Sequence, residues 1–345
     1  MAELASMDKV SKISILTNFY RMNGIRSSRF TAQSRCVGDQ NNLWSSLRLF
    51  KEAFTWDAVV LNVDTRRLLT ICVLKWLIPH RKPILVSVDI HLSEPRGWRS
   101  KLMAFVKRIL LKKVNLFILY FKDHSGYANY YGITPPRVCY VPFKVNEWEH
   151  LPSRDKLTSD GEYVLTAGRG LRDLPTFVKA IRQLPYPTIL LCQDTEIMKM
   201  HGTESRISDL PPNIEKVLHD GDPSTWVEYI KRARVVVIPA LDSIRPVGIS
   251  LYPLAMALLK PVVITEGPAT KGLLRNEAII VPVGDWKALA NAISRVWEDD
   301  TLRKCLTEAG RAYAELLGGE QRMLQDIVDA CGELILKSRN LRLVS

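Results

Sequence analysis

Several features are scarce in this 345-residue sequence, and each scarcity removes a class of protein. The six cysteines (Cys36, Cys72, Cys139, Cys192, Cys305 and Cys331) stand far apart and include no C-x-x-C pair. That spacing argues against a disulfide framework or a zinc site and fits a reducing compartment. The six histidines show no ligand spacing, so no metal is expected. Long apolar runs are missing too. The most apolar early run, Leu68 to Ile78 (LLTICVLKWLI), falls well short of the roughly twenty residues a bilayer span needs, and it contains Lys75. The first residues, MAELASMDKVSK, lack the apolar core of a secretory leader, and the expectation is a cytoplasmic protein.

Acidic residues are scarce in one half only. Residues 1–150 hold 23 Lys and Arg against 11 Asp and Glu, whereas the remaining residues balance at 25 against 25. The whole formal excess of +12 therefore lies in the N-terminal half. A basic half points to an anionic partner such as membrane headgroups, a phosphorylated lipid or nucleic acid. Nucleic acid is the least expected of these, since neither interleaved aromatics nor a recognised module accompanies the charge.

What is present is an alternation of strand and helix that runs through the chain twice. In the first half the short apolar runs Ile13–Thr17, Ala58–Val63, Ile84–Val88, Leu116–Tyr120 and Val138–Val141 read as buried parallel strands. Helical patterns lie between them at 40–54, 65–78, 97–113 and 125–131. The polar stretch Asn146–Gly161 reads as a linker. Beyond it, strands are expected at 163–167, 188–192, 214–218, 235–239, 261–265 and 278–281. Helices are expected at 173–184, 223–233, 286–298, 301–317 and 320–337, with another inside the stretch 245–265. The fold class is α/β, two Rossmann-like domains facing each other across a cleft. The expected bounds are 1–150 and 151–320, with a C-terminal helical segment, 321–345, packing back on the first domain.

Three stretches carry candidate chemistry. The first is AGRGLRD, Ala167 to Asp173, directly after a strand and before a helix. Gly168 and Gly170 permit a tight turn, Asp173 can cap the helix, and Pro175 suits its first turn. Arg169 and Arg172 would project at the strand's C-terminal end, where guanidinium groups suit a diphosphate. The alternative is a glycine-rich turn with solvated arginines. The second is RPVGISLYPLAMALLKPVVIT, Arg245 to Thr265. Here Gly248, Ile249 and Ser250 sit at an expected helix start, with Ser250 as N-cap, where N–H groups and the helix dipole would hold a phosphate. Leu251, Leu254, Ala255 and Leu258 form an apolar face that can pack on a sheet.

The third is Arg96 to Lys113 (RGWRSKLMAFVKRILLKK), with seven basic residues and no acidic one. Its apolar positions, Trp98, Leu102, Phe105, Val106, Ile109 and Leu110, recur on one helical face. The expectation is that this face packs on the N-terminal sheet while the basic flank lies free for anionic lipid.

The C-terminal half resembles the donor domain of GT-B fold glycosyltransferases, specifically the retaining family 4 type. The matching pieces are TAGRGLRDLPTFVKAI, RARVVVIPALDSIRPVGISLYPLAMALLKPVVITEGPATKGLL and AIIVPVGDWKALANAISRVWEDDTLRKCLTEAG, which span most of residues 163–311. The resemblance implies transfer of a sugar from a nucleotide-diphosphate sugar to a glycan or lipid-linked acceptor, with retention and without a cofactor. It places donor binding on Gly168, Arg169, Arg172, Gly248, Ile249, Ser250 and Leu251. The chain departs from the family at the E-x7-E carboxylates, whose positions hold Pro246 and Leu254, and at the glycine after the helix, which is Leu259. Glu266 is the expected substitute, with Asp242 behind it.

In the first half the resemblance suggests His91, with Asp89 as runner-up, as the catalytic pair at the end of the strand ILVSV, and His124 as a weaker candidate. The loop Tyr20–Ser28, turned by Asn23 and Gly24, would approach donor and acceptor. The expected protein is a peripheral glycosyltransferase on the inner face of a membrane. The alternative is a GT-B protein that keeps the scaffold as a binding or regulatory partner, a reading the missing carboxylates favour.

Overall fold

The computed structural model describes residues 10–38, 42–78, 83–203, 209–219 and 222–343. Residues 1–9 and the first two residues of the helix expected at 40–54 lie outside these. The first half forms β1 (Ser11–Thr17), β2 (Phe30–Cys36), α1 (Leu43–Glu52), β3 (Ala58–Asn62), α2 (Thr65–Leu77), β4 (Ile84–Val88), α3 (Trp98–Leu110), β5 (Leu116–Leu119), α4 (Ser125–Tyr131) and β6 (Val138–Tyr140). Next come β7 (Tyr163–Ala167), α5 (Leu174–Ile181), β8 (Thr188–Cys192), α6 (Thr195–Met200), β9 (Ile214–Leu218), α7 (Pro223–Arg232) and β10 (Ala233–Ile238). The chain then continues through α8 (Tyr252–Ala257), β11 (Val262–Thr265), β12 (Ile279–Val281), α9 (Trp286–Glu298), α10 (Asp300–Leu317) and α11 (Glu320–Leu343).

Two compact units result. One comprises Met1–Tyr120, His124–Pro142 and Gln321–Ser345, and the other Phe121–Asp123 and Phe143–Glu320. The boundary falls at Pro142/Phe143, ahead of the stretch expected as a linker. That stretch is held down in the second unit. It makes two 3₁₀ turns, Trp148–His150 and Arg154–Lys156. Lys260 Nζ donates to the carbonyls of Thr158 and Asp160 at 2.7 Å each. A buried ammonium needs such acceptors, and burial lowers its pKa to about 8.

The first unit is a six-stranded sheet in the order β2-β1-β3-β4-β5-β6, with every pairing parallel. β3, β4 and β5 are apolar runs buried on both faces, which a parallel sheet covered on both sides requires. β2 was not expected from the sequence. As an edge strand it buries only Phe30 and Ala32, so FTAQSRC carries no apolar run to announce it. α11 completes this unit with a buried stripe of Leu324, Ile327, Val328, Cys331 and Ile335. Gln325 Nε2 donates to the carbonyl of Arg26 at 2.9 Å, Glu333 pairs with Arg29 at 3.2 Å, and Arg339 with Asp57 at 2.8 Å.

The second sheet runs β12-β11-β10-β7-β8-β9, again all parallel. This is the Rossmann order, with the reversal between β7 and β10. Val235 and Val237 face one core with Phe177 and Ile293, and Val236 and Ile238 face the other with Leu254 and Ala255. Helix α6, six residues capped by Asp194, was too short to show a period in the sequence.

An expectation about the first unit fails here. The apolar stripe of α3 does not pack on the sheet. Within the helix only Ala104 is buried, while Trp98, Leu102, Met103, Phe105 and Val106 stand exposed, Trp98 at 71% and Phe105 at 60%. In this stretch the buried apolar side chains are Ala104, Leu111 and Val114. The neighbouring α2 adds exposed Val73, Trp76 and Leu77, with Ile78 just beyond its end.

Candidate functional site

In the second unit, a cavity of about 410 Å³ lies where the strand order reverses, among residues from the ends of β7, β8 and β9, from α8 and from the segment before β7. Crevices at such a switch point are where doubly wound sheets take ligands. Its lining includes Gly168, Arg169, Arg172, Ser250 and Leu254, together with Asn146, Glu147, Gln193, His219, Pro223 and Trp226.

The turn after β7 is wound around a guanidinium. Arg172 is buried, and its Nε and Nη1 donate to the carbonyls of Ala167 (3.0 Å) and Gly170 (2.9 Å). It therefore does not project freely as expected. Burial brings its pKa down to about 10. Gly168 has a φ of 111°, and a Cβ there would lie 2.3 Å from Arg172 Nη2, so the turn requires glycine. Thr203 Oγ1 accepts from the amide of Arg172 and donates to the carbonyl of Arg169, tying both arginines to the end of α6. Asp173 accepts from the amide of Thr176 at 3.0 Å, with Pro175 in the first turn of α5, as read from the sequence.

Arg169 is the exposed cation of the pair. Its charge is felt by His201, whose pKa is lowered first by burial and then by Arg169 and Arg245. Two guanidinium groups thus gather at the loops leaving β7 and β10, near the end of α6, a local field suited to an anion.

The segment Gly248–Leu251 differs from its expectation. Helix α8 starts at Tyr252, its N-cap residue is Leu251, and no side chain caps it, so Ser250 is not the cap. The amides of Leu251 and Tyr252 both donate to the Gly248 carbonyl, at 2.9 and 3.0 Å, and so do not point at a ligand. Leu251 is fully buried in the core and Ile249 packs against it; neither side chain lines the cavity. Gly248 has a φ of 90° and fits closely against Ile238, where a Cβ would come within 2.8 Å. Ser250 alone of this set lines the cavity, with Leu254 one turn on. Leu259 takes a left-handed φ of 57°, the conformation a glycine would supply, and burial of its side chain offsets that strain.

Neither expected substitute carboxylate reaches the site. Glu266 is exposed and pairs with Lys271 at 3.4 Å, and Asp242 is exposed; neither lines the cavity. The carboxylate that does is Glu147, from the stretch expected as linker. The aromatic wall is Trp226, T-shaped against His219 with centroids 5.3 Å apart and Nε1 3.2 Å from the imidazole nitrogens. Sequence reading missed Glu147, Asn146, Gln193, His219, Pro223 and Trp226. Gln193 and His219 directly follow β8 and β9, so the strand-end rule that selected Arg169 would have selected them also. Nothing comparable marks Glu147.

In the first unit, His91 and Asp89 lie just past β4, with His91 Nε2 3.2 Å from Asp89 Oδ2. Asp89 has a left-handed φ of 47° and its amide donates to the Ile118 carbonyl. Tyrosines of α4 hold the loop. Tyr127 Oη donates to the Ile90 carbonyl at 2.8 Å and accepts from the amide of Leu92, and Tyr131 donates to the carbonyl of Ser93. His124 is the half-buried N-cap residue of α4. Asn23 and Gly24 make the turn expected of them; Asn23 Oδ1 accepts from the amide of Ser34, fixing the loop to β2. Among the described residues no cluster of three His, Cys, Asp or Glu side chains is placed to hold a metal ion.

Two six-stranded parallel sheets with interspersed helices match the GT-B fold of solved glycosyltransferase structures. Residues 208–313 match the family described as Glycosyl transferases group 1. Among solved structures, the chain is similar to sucrose-phosphate synthase from Thermosynechococcus elongatus at 18% identity and a TM-score of 0.61, covering 97% of this chain and 89% of that one. It is similar to Anabaena HepE in complex with UDP at 13% identity and a TM-score of 0.66, covering 93% and 100%. A glycosyltransferase from Rickettsia africae is 13% identical with a TM-score of 0.62, covering 94% and 99%. No curated protein sequence matches the chain.

Proposed function

We propose that the protein is a retaining glycosyltransferase that moves a sugar from a nucleoside diphosphate sugar to an acceptor hydroxyl. The observation that carries this reading is the cavity at the β7/β10 reversal, with Arg169 and Arg172 after one strand, His219 after another and Trp226 on the first turn of α7. A diphosphate suits the guanidinium groups, and a planar base suits the aromatic wall. Anabaena HepE is in complex with UDP and with UDP-glucose in its solved structures, so uridine nucleotides are the first to titrate.

Chemistry on this reading rests on the leaving group. Arg169 and the buried Arg172 stabilise the departing diphosphate in a pre-organised turn, and the Ser250 hydroxyl adds a donor. The donor's own phosphate oxygen accepts the proton of the attacking hydroxyl, so no strong base is needed. His91, paired with Asp89 at 3.2 Å, is the catalytic side chain proposed for this reaction. No metal is required where guanidinium groups carry the diphosphate charge.

The acceptor is a lipid-linked or glycan hydroxyl at an anionic membrane surface. The support is α3, whose exposed apolar ridge is flanked by Arg99, Lys101, Lys107 and Arg108. Such a helix lies in the headgroup plane with its apolar face inserted. Among the described residues no helix is long and apolar enough to cross a bilayer.

Calorimetric titration with UDP, ADP, GDP and the corresponding nucleosides tests the reading. One diphosphate should bind at least tenfold more tightly than its nucleoside. Failure of all three to bind would remove the glycosyltransferase reading. Binding with neither transfer nor hydrolysis of any sugar nucleotide would identify a binding or regulatory protein on the same scaffold.

A further inference from the structure

Among the described residues Glu147 is the one acidic side chain lining the cavity of the second unit. Its position is fixed from both sides. Two residues before it, Val145 is buried and its amide donates to the Gly318 carbonyl at 2.8 Å. Just before that, Lys144 pairs with Glu320 at 3.2 Å. On the other side Trp148 packs against the core beneath the guanidinium of Arg311, 5.6 Å from the ring centroid. Glu147 itself has φ 56° and ψ 18°, the left-handed region, where a residue with a Cβ is disfavoured. Strain held in place by well-anchored neighbours marks functional positions.

The carboxylate has no hydrogen-bond or ion-pair partner among the described residues, although two arginines line the same cavity. A carboxylate offers only acceptor oxygens, so it calls for donors. The ligand that satisfies the whole lining has an anionic end for the arginines and donor hydroxyls elsewhere. Leu254, which α8 presents to the cavity, cannot accept a hydrogen bond from such hydroxyls.

Resting on the nucleotide-sugar reading, we propose that Glu147 binds a vicinal hydroxyl pair of the bound sugar nucleotide. Two hydroxyl pairs share this chemistry, that of the ribose and that of the transferred sugar. The two oxygens of one carboxylate match either.

The test is a binding series with UDP, 2′-deoxy-UDP and UDP-glucose on wild type, Glu147→Gln and Glu147→Gly. For the ribose, wild type should prefer UDP over the deoxy compound by on the order of tenfold or more, and Glu147→Gln should lose that preference. For the transferred sugar, Glu147→Gln should weaken UDP-glucose by a similar factor and leave UDP unchanged. Either result supports the assignment and names the hydroxyls. Glu147→Gly relieves the backbone strain, so it should melt no lower than wild type while binding as weakly as Glu147→Gln. That separates lost contact from lost fold. If wild type binds UDP and both variants hold all three ligands within twofold of it, Glu147 has no such role and the nucleotide reading survives. If wild type binds none of the three and no other nucleoside diphosphate, both fall together.

Discussion

In the second unit the strand order reverses between β7 and β10, and the loops there bound an open cavity of about 410 Å³. In the first unit the order reverses between β1 and β3, and there an asparagine side chain bridges the two strand ends. Asn18 Nδ2 donates to the Asn62 carbonyl, and its Oδ1 accepts from the Asn62 amide, both at 2.8 Å. The two reversal points are thus furnished differently, by loops around a cavity in the second unit and by an asparagine bridge in the first. Both units place non-glycine residues in left-handed backbone just past strand ends, Val63 and Asp89 in the first and Leu171 in the second. The difference lies in what those turns enclose. The second unit's turn is wound around a buried arginine. The first unit's turns are pinned by asparagine and tyrosine, and its most unusual surface lies on helices α2 and α3. A Rossmann-like sheet supplies a place for a ligand, and side chains decide whether the place is used.

The sharpest test of that contrast substitutes a left-handed glycine in each unit. Gly168→Ala drives a methyl into the Arg172 guanidinium and breaks hydrogen bonds that hold the turn, at a cost of about 2–4 kcal/mol. It should also abolish nucleotide binding. Gly24→Ala in the first unit has nothing within 4 Å of the added atom and should cost only about 1 kcal/mol. Urea denaturation measures both. Equal losses would mean that the turn after β7 is not built around its arginine.

A second contrast concerns surfaces. Trp98→Ser with Phe105→Ser removes two exposed apolar side chains from α3. It should lower partition onto anionic vesicles about a hundredfold, since a fully buried aromatic is worth roughly 1.5–3 kcal/mol. Folding and nucleotide binding should be unchanged. Reversal of Arg99, Lys101, Lys107 and Lys112 to Glu should act at low salt above all, because exposed charges are screened. Vesicle flotation that ignores the serine pair would assign the ridge to another partner. In the second unit the matching change is Arg169→Ala, which should weaken a nucleoside diphosphate roughly tenfold and leave the nucleoside alone.

Much of this was legible in advance, for a physical reason. Buried parallel strands such as β4 (ILVSV) and β10 (ARVVVI) are apolar on both faces, and their β-branched residues set them apart from a short buried helix such as α8 (YPLAMA). The turn AGRGLRD was legible because a strand, two glycines and a capped helix lie in succession. What the sequence hid depended on partners far along the chain. β2 is paired along one edge only, so alternation is all it shows. The apolar period of α3 is real, yet a period reports that a face exists and not what covers it. Glu147 lay in a polar stretch whose anchors, Gly318, Glu320 and Arg311, are more than 150 residues distant. The orientation of Arg172 was equally hidden, since the same residues suit a guanidinium facing outward or one folded back on carbonyls.

The smallest expected effect separates the units by their response to acid. In the first unit Asp57 is partly buried. Burial alone would raise its pKa, but Arg339 and the backbone and side chain of Ser14 outweigh that and hold it below the ordinary value of 3.8. The folded state therefore binds this proton less readily than the unfolded chain. Stability from the pair is complete above 3.8 and is lost as pH falls through the lowered folded value. Arg339 is substantially exposed, so the contribution is held to about 1 kcal/mol. The second unit's lowered carboxylates, Glu162 beside Arg232 and Glu298 beside Tyr186 and Ser294, lie at the surface. Salt screens the Glu162–Arg232 charge pair. Arg339→Gln should consequently lower the melting temperature of the first unit near neutral pH, with the difference from wild type narrowing as pH falls below 3.8 and Asp57 becomes protonated in both. Hydrogen exchange should place the loosening at the end of α11 and along β1, with β7 and β10 unaffected. A deficit that persists undiminished into acid would show that Arg339 acts by packing, and the acid sensitivity of the first unit would then lie elsewhere.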